Sequence, residues 1–132
     1  MNSLPPASKK LDALADPRPV IIQAGQHHLL DGRSCQACDH AIALQLPLCP
    51  RCRGAVEPAQ FGPRGVIWAL TVVHVPARPD DKVPYTLAYV DLDQGPRLLA
   101  YVAPTDATVE VGSSVALTAL SALGDPTVEV AP

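Results

Sequence analysis

Aromatic residues are scarce in this chain: Phe61, Trp68, Tyr85, Tyr89 and Tyr101 make up only 4% of its 132 residues. Charged residues are few as well, at 17%, and their balance is −3 with histidine neutral. A nucleic-acid surface needs clustered cations with interleaved stacking rings, so this composition disfavours that class of partner. No run approaches the roughly 18 to 20 apolar residues of a membrane span, and no membrane association is expected. The stretch from Met1 to Pro19 is broken by Pro5, Pro6, Lys9, Lys10, Asp12, Asp16 and Pro17. It therefore does not read as a secretory signal, and the expected compartment is the cytoplasm. Also missing are the Gly-x-Ser-x-Gly elbow, the His-Glu-x-x-His zinc motif, a Walker-type phosphate loop and a dinucleotide fingerprint. The sequence thus offers no catalytic set of its own.

Two things are plentiful. Hydrophobic residues reach 48%, enough for a core, and the 15 prolines argue against long helices and for short strands joined by stiff turns. The chain also has four cysteines, in two pairs: Cys35-Gln-Ala-Cys38 and Cys49-Pro-Arg-Cys52. In a reducing compartment two such pairs point to metal rather than disulfides. Each Cys-x-x-Cys turn presents two thiolates, and the short hairpin between the turns brings the second back to complete a tetrahedron. Four sulfurs leave no open coordination position, which suits a structural Zn2+ and argues against metal catalysis. Iron in a rubredoxin-like site is the competing reading, since the same ligands can hold a one-electron centre. His27, His28 and His40 lie nearby but are surplus to a complete ligand set.

Three regions follow. Residues 1–28 read as a tail with a short helical segment around Val20 to Leu29, and residues 29–57 as the zinc ribbon. Within 58–132, after a linker from Val56 to Pro63, short β-branched runs alternate with period two. Gly65 to Val75 is apolar on both faces and is expected to be a buried strand, with Trp68 in or against the core alongside Val66, Leu70 and Val72. Tyr85 to Leu92 and Arg97 to Val102 flank the turn Asp93-Gln-Gly-Pro96 and form a hairpin. Val109 to Val111, Val115 to Leu120 and Val128 to Val130 supply further strands. About five strands in this length fit a small closed barrel, because closure removes exposed edges. His74 ends the first strand, and Arg78 and Lys82 lie on the proline-rich loop from Pro76 to Pro84.

The order of these parts is specific. A Cys-x-x-Cys, Cys-Pro-x-Cys ribbon is followed by Gly65-Val-Ile-Trp-Ala-Leu-Thr-Val-Val-His74, then Pro84-Tyr85, then Val90-Asp-Leu-Asp-Gln-Gly95. Over residues 29 to 120 this resembles the zinc-ribbon plus OB-fold proteins associated with acyl-CoA enzymes, a family long catalogued as a domain of unknown function. The resemblance implies a mainly β fold, with an N-terminal rubredoxin-like zinc ribbon followed by a small OB-fold β-barrel. It implies an accessory subunit in a hetero-oligomer with a thiolase-fold or related acyl-CoA enzyme. The subunit of a hot-dog-fold enoyl-CoA hydratase is the alternative within the family, and an OB-fold nucleic-acid binder the alternative outside it. On this reading Cys35, Cys38, Cys49 and Cys52 hold the metal. Arg78, Lys82, His74 and Tyr85 face the partner or a shared CoA thioester, where a cation can meet a phosphate.

Overall fold

A computed structural model describes residues 18–121 and 124–131. The expected tail from residue 1 to 17 lies outside them. Among the described residues there is no helix, hence none long and apolar enough to cross a membrane. The described residues form nine strands in two sheets.

The first sheet has four strands: β1 (Ile21–Ala24), β2 (His27–Cys35), β3 (Ala41–Ile42) and β4 (Val56–Phe61). Two expectations are corrected here. The segment read as helical turns is the β1–β2 hairpin, with Ala24 opposite His27 and Gly25 at a φ of +64° in the turn. That glycine marks a reversal between strands rather than a helix stop. The segment read as a linker is β4, which pairs antiparallel with β2 from Leu30↔Phe61 to Cys35↔Val56. It spans the boundary expected between residues 57 and 58. Pro58 is tolerated because β4 is an edge strand that can turn the missing donor outward.

The second sheet closes on itself. Strands β5 (Arg64–Val73), β6 (Tyr85–Leu92), β7 (Arg97–Val102), β8 (Ser114–Leu117) and β9 (Thr127–Val130) form a barrel in the order β5-β6-β7-β9-β8. All its pairings are antiparallel except β7 with β9. This five-stranded barrel has the OB architecture, as the mainly β expectation requires. The hairpin of β6 and β7 occupies the expected residues, whereas Val109 to Val111 is loop, not strand. Inward-facing Ile67, Val90, Leu98, Val115 and Val128 are at most 2% exposed and fill the barrel. Leu30, from the first sheet, is buried in the same core, and Phe61 packs against it, so the ribbon and the barrel share a hydrophobic seam.

The phase of β5 is the third correction. Gly65 and Ile67 point inward, while Val66 and Trp68 point out. Trp68 is 51% exposed, so it is a surface residue rather than a core one. A bulge between Ile67 and Ala69 inserts one extra residue at the tryptophan and brings Leu70 partly against the core beyond it. Gly65 sits where β5 crosses β6: a Cβ there would come within 2.7 Å of the Asp91 carbonyl oxygen and of Val90 Cγ1. Only glycine lets the backbones approach this closely.

Candidate functional site

The four cysteines come from two matching turns. In the first, the amides of Ala37 and Cys38 donate to Cys35 Sγ, both at 3.4 Å, and Asp39 N donates to the Cys35 carbonyl at 3.0 Å. In the second, Arg51 N donates to Cys49 Sγ and Gly54 N to Cys52 Sγ, also at 3.4 Å, and Arg53 N donates to the Cys49 carbonyl at 2.8 Å. Asp39 and Arg53, each one residue past the second cysteine of its pair, take matching left-handed φ values of 60° and 62°. Each turn thus aims two sulfurs and its own amide dipoles at one point. The bridge between Leu48 and Ala55 closes the second turn.

All four Sγ atoms lie within 4.8 Å of one another. Cys35 Sγ is 3.4 Å from Cys52 Sγ, and Cys38 Sγ is 3.8 Å from Cys49 Sγ. Sulfurs bound about 2.3 Å from one tetrahedral ion stand about 3.8 Å apart, so the cluster is compatible with a single ion. Gly54 lines the cradle: a Cβ there would come within 3.1 Å of Cys52 Sγ and 3.2 Å of Cys35 Sγ. Cys35 and Cys49 are buried, whereas Cys38 and Cys52 are exposed.

The thiols also shift one another's protonation. Cys35 is lowered to about 7, chiefly by the hydrogen bond from the Cys38 amide. Cys52 moves the other way. The Gly54 amide pulls it down, but the neighbouring thiols Cys35 and Cys38, together with burial, push it up to about 12. Cys35 thus loses its proton more readily than Cys52, and a divalent cation bound by all four sulfurs would displace the protons that remain.

The four residues singled out on and beside the loop, Arg78, Lys82, His74 and Tyr85, are brought together only in part. Lys82 and Tyr85 line a hollow of about 610 Å³ with Tyr101, Leu120 and Ser121. Arg78 lines a neighbouring hollow of about 370 Å³ that shares Tyr101. The rings of Tyr85 and Tyr101 stand 5.3 Å apart. Arg78 Nε lies 3.7 Å from Asp81 Oδ1, and Asp81 Oδ2 accepts from the Arg78 backbone amide at 3.0 Å, so the loop holds this cation against its own carboxylate. His74 is exposed at the end of β5 and lines neither hollow.

The sequence reading missed one cluster. Arg97 stacks over Trp68, its Cζ 3.5 Å from the ring centroid, and forks onto Asp91 with contacts of 2.7 and 3.1 Å. Tyr89 meets the indole edge-on, with centroids 6.3 Å apart. The hairpin signal was there: the turn at 93–96 places Asp91 opposite Arg97. The bulge that turns Trp68 outward had no such signal.

A four-thiol ribbon joined to an OB barrel is the class that this fold and site define. The family model described as "ChsH2, C-terminal OB-fold domain" matches residues 59–119. A DUF35 domain-containing scaffold protein of Methanothermobacter thermautotrophicus is 30% identical over 94 residues, covering 68% of this chain and 71% of the relative. A second protein of that description, from Methanocaldococcus jannaschii, is 24% identical over 90 residues, covering 63% of this chain and 64% of the relative. Among solved structures, one described as "Ltp2-ChsH2(DUF35) aldolase" matches with a TM-score of 0.61 and 22% identity over the whole of both chains. The chain belongs to the DUF35 family.

Proposed function

We propose that this chain is a non-catalytic accessory subunit of an acyl-CoA enzyme, working in the cytoplasm within a hetero-oligomer. The observation that carries the reading is the 30% identity to a protein described as a scaffold, over 71% of that relative's length. The solved neighbour's description, which names an aldolase together with ChsH2(DUF35), supports an enzyme that makes or breaks carbon–carbon bonds as the partner class. A thiolase-fold subunit is the specific form of this proposal.

In this reading the ribbon is structural. Cys35, Cys38, Cys49 and Cys52 hold Zn2+, which supplies a rigid cross-link and no chemistry of its own, because four sulfurs close the coordination sphere. The chain's own residues do the positioning. The loop between β5 and β6 and the segment between β8 and β9 frame the two hollows that share Tyr101. The reading assigns that end of the barrel to the partner's CoA entrance, with Lys82 and Arg78 supplying cations for phosphate, Tyr85 an aromatic wall, and His74 a polar group at the loop's start.

The test is to purify the full chain from its native source under gentle salt and identify what accompanies it by mass spectrometry. A stoichiometric acyl-CoA enzyme subunit is expected. A chain accompanied by nucleic acid, or by an enzyme of unrelated chemistry, would overturn the reading.

A further inference from the structure

Each sulfur of the ribbon has a close neighbour in the opposite turn, and each of these pairs joins a shielded sulfur to an open one. Buried Cys35 lies 3.4 Å from exposed Cys52, and buried Cys49 lies 3.8 Å from exposed Cys38. The backbone brings the two turns face to face. Strand β4 pairs with β2 as far as Cys35↔Val56, and just beyond it the Gln36 amide donates to the Ala55 carbonyl at 3.0 Å. The Cys49 amide donates to the Gly54 carbonyl, also at 3.0 Å, which folds the second turn back toward that ladder. Cysteines 17 and 11 positions apart in sequence thereby stand side by side.

A small solute can reach the open sulfurs. Cys38 lines a hollow of about 820 Å³ between the ribbon and the β6–β7 turn, together with His40, Arg51 and Arg97, and Cys52 is exposed as well. An oxidant therefore meets Cys38 or Cys52 first, and in either case a second sulfur stands directly behind. Exposure governs which thiols are oxidised, and a neighbouring thiol turns the first product, a sulfenic acid, into a disulfide before oxidation goes further. Two sulfurs already in contact react as an intramolecular pair, with the cost of their encounter met by the fold. A bond within either Cys-x-x-Cys turn would leave both of these cross-turn contacts unused.

We propose that the ribbon is an oxidation site at which hydrogen peroxide joins Cys35 to Cys52 and Cys38 to Cys49, two disulfides that cross from one turn to the other and displace any ion the sulfurs hold. The sulfur of exposed Cys52 attacks the peroxide, the O–O bond breaks, and a sulfenic acid forms as one water leaves. The Cys35 sulfur then attacks that sulfur: the S–S bond forms, the S–O bond breaks, and a second water leaves. Two thiols have given up two electrons and two protons, and the peroxide has taken them. Cys38 and Cys49 follow the same course with a second peroxide. A disulfide sulfur is no longer a thiolate ligand, so the four-sulfur set is lost with the first bond. A dithiol reductant reverses the exchange and restores it. The site is independent of the accessory-subunit reading, because it needs no partner.

The experiment uses the full chain, reduced, freed of reductant, supplied with zinc, and then treated with two equivalents of hydrogen peroxide. Remaining thiols are blocked with N-ethylmaleimide, and the chain is cut with trypsin without reduction. Cleavage after Arg33, Arg51 and Arg53 separates residues 34–51, which carry Cys35, Cys38 and Cys49, from the dipeptide Cys52-Arg53. Electron-transfer fragmentation is expected to find the dipeptide on Cys35 and an internal bond between Cys38 and Cys49. Zinc is expected to pass to a chelating dye in step with the bonds, and dithiothreitol to restore four thiols. The dipeptide on Cys49, with Cys35 joined to Cys38, would show that each turn oxidises by itself and would overturn the cross-turn pairing. Sulfinic acid on Cys38 and Cys52, with Cys35 and Cys49 still open to maleimide, would overturn the part given to the buried sulfurs. Four maleimide-labelled cysteines after the treatment would overturn the site itself.

Discussion

The ribbon and the barrel are both small β structures, and they are held together by different means. Apart from Leu30, which belongs to the barrel core, the ribbon buries only Cys35, Ile42 and Cys49, with Leu46 and Val56 packed alongside. The barrel buries ten further apolar residues around its axis, from Ile67 to Val128. A core of the ribbon's size cannot offset the entropy of ordering its residues, and two of its three buried side chains belong to the four-thiol cluster. The barrel needs no ion, because closure pairs every strand and lets both ends of each strand contribute to one core. Hydrocarbon holds the barrel, whereas the ribbon brings together four thiols compatible with a metal ion.

The largest expected effect breaks this comparison at the ribbon. Cys49→Ser should abolish stoichiometric zinc, read by metal analysis, and release the amides of residues 35–55 to fast hydrogen exchange while the β5–β9 amides stay protected. Zinc ligation in small domains is worth on the order of 10–16 kcal/mol, comparable with the stability of a whole domain. Affinity should also fall with falling pH, because binding must displace the protons of thiols such as Cys52, which is held up to about 12. A wild-type chain that binds no zinc, or a red chain that holds iron, would change the account of the ribbon.

The next effect compares neighbours in the barrel. Ile67→Ala should cost about 2–5 kcal/mol in chemical denaturation, as expected for a buried aliphatic truncation, since Ile67 is 1% exposed. Trp68→Ala should cost about 1 kcal/mol or less, because half the ring is already in water. Equal losses at both positions would mean that the bulge does not turn the indole outward.

A smaller effect concerns the loop. In the reconstituted complex, Arg78→Ala combined with Lys82→Ala should raise the KM for acyl-CoA several-fold with kcat little changed, because remote phosphate contacts act on ground-state binding. An unchanged KM would remove these residues from the CoA entrance. The smallest effect is at the Trp68 cluster. Hydrogen bonding from Arg97 lowers the Asp91 carboxyl below its usual value, with burial opposing. A depressed folded value contributes stability above the unfolded pKa of about 3.9, and that contribution is lost as pH falls through the folded value. Asp91→Asn should therefore flatten the acid limb of the stability curve only below about pH 4. The difference should be slight, because both partners are more than 40% exposed.

What the sequence disclosed follows the same division. The cysteine spacing revealed the four-thiol cluster because the geometry of each Cys-x-x-Cys turn is local, and the β6–β7 hairpin was legible because Asp93-Gln-Gly-Pro96 is a turn with its own chemistry. The β5 phase was not, since Val66, Trp68, Leu70 and Val72 are as apolar as the opposite row and a bulge reverses the pattern midway. Strand β4 escaped because Pro58 and the polar residues around it are those of an edge, which resemble a linker. The β1–β2 hairpin escaped because a glycine after a short apolar run signals a helix end and a turn equally well. Residues that meet only after the barrel closes, such as Trp68 and Arg97, leave little local trace.

The central claim is that this chain completes another subunit's enzyme. It is tested most directly by measuring that subunit's turnover of its acyl-CoA substrate alone and with an equimolar amount of the zinc-loaded chain. The account predicts little or no turnover alone and full turnover with the chain; equal turnover in both would contradict it.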